Sequence, residues 1–230
     1  MTEVAADDVS GGAGEPGPTE WGENPNGVGP WAEEHHTEPP TDERYDPVLL
    51  AEGDRRNVLD EYRYWTREAI VEDIDSRRHT MHVAIENFAH DANIGTVVRT
   101  ANAFAAAAVH IVGRRRWNRR GAMVTDRYQH IVHHADISEL VEYARENSLT
   151  IVAVDNTPGS VPLETASLPR ECILLFGQEG PGVTDHAKEV ASMTVSIAQF
   201  GSTRSINAGV AAGIAMHAWV REHADLADSR

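Results

Sequence analysis

The sequence predicts an α/β fold, a parallel sheet covered by helices on both faces, and two observations carry that prediction. From Thr80 onward, short apolar runs alternate with stretches of helical periodicity, so strand, loop and helix recur in turn. Two of the apolar runs, residues 172–176 and 193–197, stop at glycine-bearing loops: Gly177-Gln178-Glu179-Gly180-Pro181-Gly182 and Gln199-Phe200-Gly201-Ser202-Thr203-Arg204. The second loop leads through Ser205-Ile206-Asn207 into a long alanine- and glycine-rich helix. Glycine-lined strand ends beside a helix N-terminus form a crevice in which a nucleotide-like ligand can lie against bare backbone.

Composition bounds what surrounds this core. Residues 1–45 hold 11 acidic side chains against the single Arg44, which places −10 of the −16 net charge in the head. With 7 glycines and 6 prolines there and only Trp21 and Trp31 as large apolar groups, this stretch is expected to be a disordered acidic tail, either merely solvated or a docking arm. The remainder is only mildly acidic, so the whole-chain charge does not exclude a polyanionic partner. The lone Cys172 lies in an apolar run and suits a reducing, cytoplasmic setting. No basic, apolar leader opens the sequence and no run of about 18 apolar residues occurs, so neither a secretory signal nor a membrane span is expected.

Taken in order, residues 46–79 are a helical extension. Val58, Leu59, Tyr62, Trp65, Ala69 and Ile70 recur at three- and four-residue spacing, which predicts an amphipathic helix over about 54–76. Its arginines, Arg55, Arg56, Arg63 and Arg67, alternate with acids, as on a solvated face laced with ion pairs, with an RNA-facing surface as the alternative. Residues 80–86 read as the first core strand, and a loop through His90 leads to Asn93-Ile94-Gly95-Thr96-Val97-Val98-Arg99-Thr100-Ala101 at helical spacing. Arg99 sits in a helix that looks half buried, where a guanidinium needs an anion. A structural ion pair would satisfy it, but Asn93 at the same strand end favours a ligand.

Residues 107–112 are the second strand, followed by Arg114-Arg115-Arg116-Trp117-Asn118-Arg119-Arg120, five arginines and an indole in seven residues. Arginines pair with phosphates and aromatic rings stack on bases, so this loop is a candidate RNA contact, with another polyanion or plain solvation as the alternatives. His130, His133 and His134 match no zinc spacing, and no metal is expected. Residues 138–148 form a short helix and 150–154 a third core strand. In the last helix, over about 205–222, Ile206, Val210, Ile214 and His217 or Ala218 form the expected packing ridge, with Gly209 and Gly213 allowing close approach of another backbone.

Three segments, 93–101, 177–182 and 205–207, resemble in order the three motifs of the SpoU or TrmH branch of the SPOUT methyltransferases, and the likeness spans residues 80–223. It departs at Ala198, where the family often has proline, and at Ala208 and Gly209, where it favours valine and then serine or alanine. The resemblance implies that residues 80–230 are a SPOUT methyltransferase domain with a C-terminal trefoil knot, working as a homodimer. It further implies S-adenosylmethionine as methyl donor and transfer to a ribose 2′-hydroxyl of tRNA or rRNA.

Carried over by position, Arg99, Asn93, Glu179, Ser205 and Asn207 match catalytic positions. Val154, Gly177, Gly180, Ile197, Gly201 and Ile206 fall on the cofactor-holding segments, and Arg114, Arg115, Arg116, Trp117, Arg119 and Arg120 would meet RNA. A guanidinium offers five donors and no acceptor, so Arg99 is read as gripping phosphate and sugar rather than as a base. A non-catalytic RNA-binding or ribosome-assembly protein on the same fold is the alternative, and the intact polar set argues against it. A nucleotide-dependent oxidoreductase is a poor second alternative, since no Gly-x-Gly-x-x-Gly follows the first strand and no Gly-Lys-Ser or Gly-Lys-Thr occurs.

Overall fold

The structure, a computed structural model, describes residues 27–87, 93–178 and 180–228. These residues divide into two compact units, one from 27–41 with 46–64 and the other from 42–45 with the described residues of 65–228.

In the first unit, Val28 pairs antiparallel with Asp54. Trp31 opens the short helix α1 (Trp31–His35), and its ring centroid lies 3.8 Å from that of His35, the planes tilted by 37°. Helix α2 (Pro47–Glu52) is capped by the Asp46 carboxylate, which accepts from the amides of Val48 and Leu49. Asp54 organises the rest: fully buried, it accepts from Arg56 Nε and Nη2 and from the Tyr64 amide, and these bonds hold its carboxyl below the usual range although burial opposes them. Order thus begins within the stretch expected to be structureless up to 45; residues 1–26 lie outside the described residues. The helix predicted over 54–76 does not form as one piece. Asp54 gathers the chain around itself, and Tyr64 takes a left-handed φ of 62° that no helix continues through.

In the second unit, α3 (Arg67–Asp75) starts at the Thr66 cap. There follow β1 (His82–Asn87), α4 (Ile94–Ala103), β2 (Val109–Gly113), β3 (Ile131–His134), α5 (Ile137–Glu146), β4 (Thr150–Val154), β5 (Val161–Pro162), β6 (Cys172–Phe176), α6 (Asp185–Val190), β7 (Met193–Ser196) and α7 (Ala208–His223). The seven strands form one sheet in the order β3-β2-β1-β6-β4-β7-β5, and every pairing is parallel. The predicted fold class holds. Alternation along the strands sorts the core: Val83, Ile85, Ile111, Leu174 and Phe176 pack in one cluster with α4 and α7, whereas Ala84, Val112, Ile173 and Leu175 pack in the other with α5 and α6. Cys172 is fully buried in β6, and burial pushes its thiol up to about 12.

Two features depart from expectation. In α7 the buried side is Gly209, Ala212, Ala215, Met216 and Trp219, while Val210 and Ile214 of the predicted ridge point outward. A glycine takes the inner face at the start of α7 because α4 crosses there too closely for a larger side chain, a Cβ on Gly209 sitting 3.0 Å from the Thr96 methyl, whereas Met216 and Trp219 fill the inner face further along. Beneath α5, three histidines from adjacent strands form a hydrogen-bonded row. His82 Nδ1 lies 2.9 Å from His110 Nε2, and His110 Nδ1 lies 2.8 Å from His134 Nε2, with the Tyr143 ring against them. Burial pushes His82 down to about 4 and His110 to about 2, so the row is neutral near pH 7.

Candidate functional site

The loops at the carboxyl ends of β4, β6 and β7 are tied together by specific bonds. After Val154, which is buried at the end of β4, the Asp155 amide donates to Val195 O of β7. Asp155 Oδ2 accepts from Val183 N at 3.1 Å beyond β6. Asn156 Nδ2 donates to Arg204 O at 3.1 Å in the β7 loop. The β6 loop closes on itself through reciprocal amide-to-carbonyl bonds between Gln178 and Gly182. Gly177 makes that closure possible: a Cβ there would fall 1.9 Å from Gly182 C, so only glycine fits. Gly180 and Gly201 are different, since a Cβ on either meets nothing within 4 Å. Ile197 and Ile206 are half-buried beside these loops, and Glu179 lies outside the described residues.

Two of the predicted catalytic residues meet directly. Asn207 caps α7 by accepting from Val210 N, and its Nδ2 donates to Asn93 Oδ1 at 2.9 Å, at the head of α4. The first and third motifs are thus joined by their asparagines. Arg99 stands about one and a half turns along α4, exposed rather than half-buried, its guanidinium without a hydrogen bond or ion pair among the described residues. The expectation that burial forces an anion upon it is therefore corrected: the buried side of α4 is Ile94, Gly95, Val97, Val98 and Ala101, and Arg99 lies off it. Ser205 is exposed, its carbonyl accepting from the Thr203 hydroxyl.

The arginine segment is bound to the same end of the sheet. Asn87, buried at the end of β1, donates from Nδ2 to the carbonyls of Arg114 (2.6 Å) and Arg116 (3.0 Å) and accepts from Arg114 N through its own carbonyl. Gly121 lies so close to α4 that a Cβ on Gly95 would fall 2.7 Å from Ala122 N. Arg114, Arg115, Arg116 and Arg120 are exposed and unpaired among the described residues. Trp117 is less open than a stacking platform should be: it packs partly buried on the core, and the Arg119 guanidinium stands 5.7 Å over its ring. His130 bonds Asp75, His133 bonds Gly113 O and His134 bonds His110, so the three diverge. No cluster fit for a metal occurs among the described residues.

Several residues that shape the site were not singled out from sequence. Asn87, Asp155 and Asn156 carry a usable signal, being polar residues at or just past the end of an apolar strand. Gly121 and the buried Glu86, which accepts from the Thr184 amide and hydroxyl at the head of α6, carry none, because their partners are remote in the chain.

A model of the SpoU rRNA Methylase family matches residues 80–217, more than half of the chain and nearly all of the sheet. The chain belongs to the SpoU family. Among relatives, the tRNA (guanosine(18)-2′-O)-methyltransferase of Escherichia coli (strain K12) is 24% identical over 151 residues, 64% of this chain and 66% of that protein. The 23S rRNA (adenosine(1067)-2′-O)-methyltransferase of Streptomyces azureus is 29% identical over 160 residues, 66% of this chain and 58% of that protein. The chain therefore spans less than two thirds of the length of these SpoU relatives. The A. aeolicus TrmH/SpoU tRNA modifying enzyme superposes with a TM-score of 0.59 at 20% identity, covering 68% of this chain and 81% of that one. An AdoMet-bound rRNA methyltransferase from Sinorhizobium meliloti gives 0.57 at 24%, covering 66% and 59%. Both show the SpoU fold.

Proposed function

We propose that this SpoU protein is an RNA 2′-O-ribose methyltransferase acting on tRNA or rRNA. The Asn93–Asn207 hydrogen bond carries the reading, because it brings the polar ends of two motifs together beside the tied strand-end loops, at the head of the helix that carries the exposed Arg99. S-adenosylmethionine fits the chemistry of this place: open glycines at 180 and 201 leave room against backbone, and Gln199 Oε1 is a buried acceptor without a donor among the described residues. Val154, Gly177, Gly180, Ile197, Gly201 and Ile206 would hold it, and when bound it supplies an electrophilic methyl group.

The chain's own residues then position the nucleophile. Arg99, charged and unpaired, grips an RNA phosphate and the neighbouring sugar through its fork of donors. Asn93 and Asn207, locked to each other, fix the entry to the crevice, and Ser205 offers a hydroxyl beside it. The role of Glu179 rests on its motif alone. Arg114, Arg115, Arg116, Arg119 and Arg120 draw the RNA backbone to the same end of the sheet, with Trp117 bracing the segment. The placement of β6 between β1 and β4, with β7 beyond β4, supports the family's trefoil knot. Exposed Val210 (54%) and Ile214 on α7, and Phe200 (98%) in the neighbouring loop, support a homodimer, as does the roughly 350 Å³ groove that Ile214 shares with Leu163, Ala166 and Leu168. No helix among the described residues is long and apolar enough to cross a membrane, and the free Cys172 supports a cytoplasmic setting.

Ribose-methylation mapping of total RNA from cells with and without the gene tests the reading, and loss of one mark in tRNA or rRNA is expected. If every mark persists and calorimetry shows no heat with S-adenosylmethionine, the chain is instead a non-catalytic RNA binder on this fold.

A further inference from the structure

Between the arginine segment and β3 the chain makes a turn that its sequence should resist. Ala122 and Thr125 are buried, and the Thr125 hydroxyl donates to Ala122 O at 2.6 Å, so the two ends are pinned together. Met123 and Val124 between them are pushed out with φ, ψ of 47°, 44° and 70°, −2°. Those are the dihedrals of a type I′ turn, in which both central residues are left-handed and Asn-Gly is the favoured pair. A methionine followed by a β-branched valine is among the worst choices for that geometry. Neither is there to fill the core: Met123 is 52% and Val124 51% exposed. The turn is thus strained, apolar and presented to solvent, and its frame rather than its own residues holds it so.

Its surroundings say what it meets. Arg119 and Arg120 precede it, Arg127 follows it, and Arg114, Arg115 and Arg116 lie earlier in the same segment. Against these stand Asp126, which bonds Arg119, and Glu68, Glu72 and Asp75 of α3, which share a cleft with Arg119 and Arg127 on the side of the segment away from Arg114, Arg115 and Arg116 in the chain. An apolar tip flanked along the chain by arginines suits a ligand that carries phosphates beside an apolar surface, which describes a nucleotide whose base has left its stack. The Trp117 ring, covered by Arg119, does not offer that surface, and the tip does.

We propose that Met123 and Val124 form an apolar tip that packs against an unstacked base of the substrate RNA while the flanking arginines hold its phosphates. This rests on the RNA-modifying reading above and deepens it: the turn retains residues unsuited to its backbone because they contact the ligand. Ala122 and Gly121 abut the first turn of α4, so a base held by the tip is registered against the helix that carries Arg99.

The test replaces the tip with the residues its backbone favours, Met123→Asn with Val124→Gly, in the full chain. Binding of labelled tRNA and 23S rRNA transcripts is measured by fluorescence anisotropy across a salt series, beside thermal unfolding. The expected variant is more heat-stable, with Tm raised by roughly 2–6 °C, yet binds at least one of the two RNAs about 5- to 30-fold more weakly. Its slope of log affinity against log salt stays at the wild-type value, because no charge is lost, whereas Arg115→Ala lowers that slope by about 1. A variant that gains stability and binds both RNAs as the wild type does overturns the proposal while leaving the methyltransferase reading intact. So does a variant whose RNA affinity is unchanged but whose self-association, read by sedimentation, is lost, since the tip is then a contact between copies. Failure of the wild-type chain to bind either RNA overturns both readings.

Discussion

Polar side chains are treated in opposite ways in two regions of the second unit. Across β1, β2 and β3 they are buried and answered: His82, His110 and His134 bond one another, and Glu86 takes both donors of Thr184. Around the crevice and along the arginine segment, Arg99, Arg114, Arg115, Arg116 and Arg120 are exposed and unanswered among the described residues. Burying a polar group without a partner costs free energy, so the first region had to pair its groups to fold. The second had no such need, and its unanswered donors are what a polyanion can use. Removing a side chain should therefore damage folding in one region and function in the other.

The largest expected effect tests the boundary between them. Gly177→Ala forces a methyl group into the Gly182 backbone, and urea unfolding should show a loss of more than about 3 kcal/mol together with loss of S-adenosylmethionine binding in calorimetry. Next, Arg99→Ala should lower methyl transfer on the order of 100-fold while leaving Tm unchanged, since the exposed side chain supports nothing in the fold. Near-normal turnover in Arg99→Lys would show that charge suffices and that the fork geometry is not used.

The paired region yields a pH signature. Because His110 and His82 are depressed in the folded state, the unfolded chain binds protons below about pH 6.5 that the folded chain refuses, so stability is full above that pH and falls beneath it. The buried His110 alone should contribute a slope of roughly 1 kcal/mol per pH unit below about pH 6. Urea midpoints at pH 7.5 and 5.5 check this, and His110→Phe should flatten the difference. Smallest is Asn207→Ala, which removes the α7 cap and the bond to Asn93 and should cost about 1 kcal/mol. If Asn93→Ala adds its full effect on top, the two do not act as a unit.

Much of this was legible in the sequence where runs are long and apolar. Strands β4 and β6 begin and end at the expected residues, and β1, β2 and β7 within two of them, because uninterrupted valine, isoleucine and leucine leave little choice. β3 was missed since Ile131-Val132-His133-His134 looks polar until His110 is placed beside it, and β5 since two residues make no pattern. The order of strands was not readable at all: nothing in β6 announces that it inserts between β1 and β4. In the site, motif residues could be named from the family resemblance, but not which of them touch. Arg99 was given a burial it does not have because helical spacing marks the apolar stripe and not its edges. The first half of the inner face of α7 went to Gly209, Ala212 and Ala215, small residues that hydrophobicity alone does not flag.

Cys172 offers a practical return. The sequence has one cysteine, it sits in β6 between β1 and β4, and with its thiol held near 12 almost none is present as the reactive thiolate at neutral pH. An alkylating reagent can then modify the native chain only when the middle of the sheet opens. Labelling kinetics on the unaltered protein would therefore clock that opening directly, and repeating the measurement with and without methyl donor would reveal whether occupying the crevice slows it.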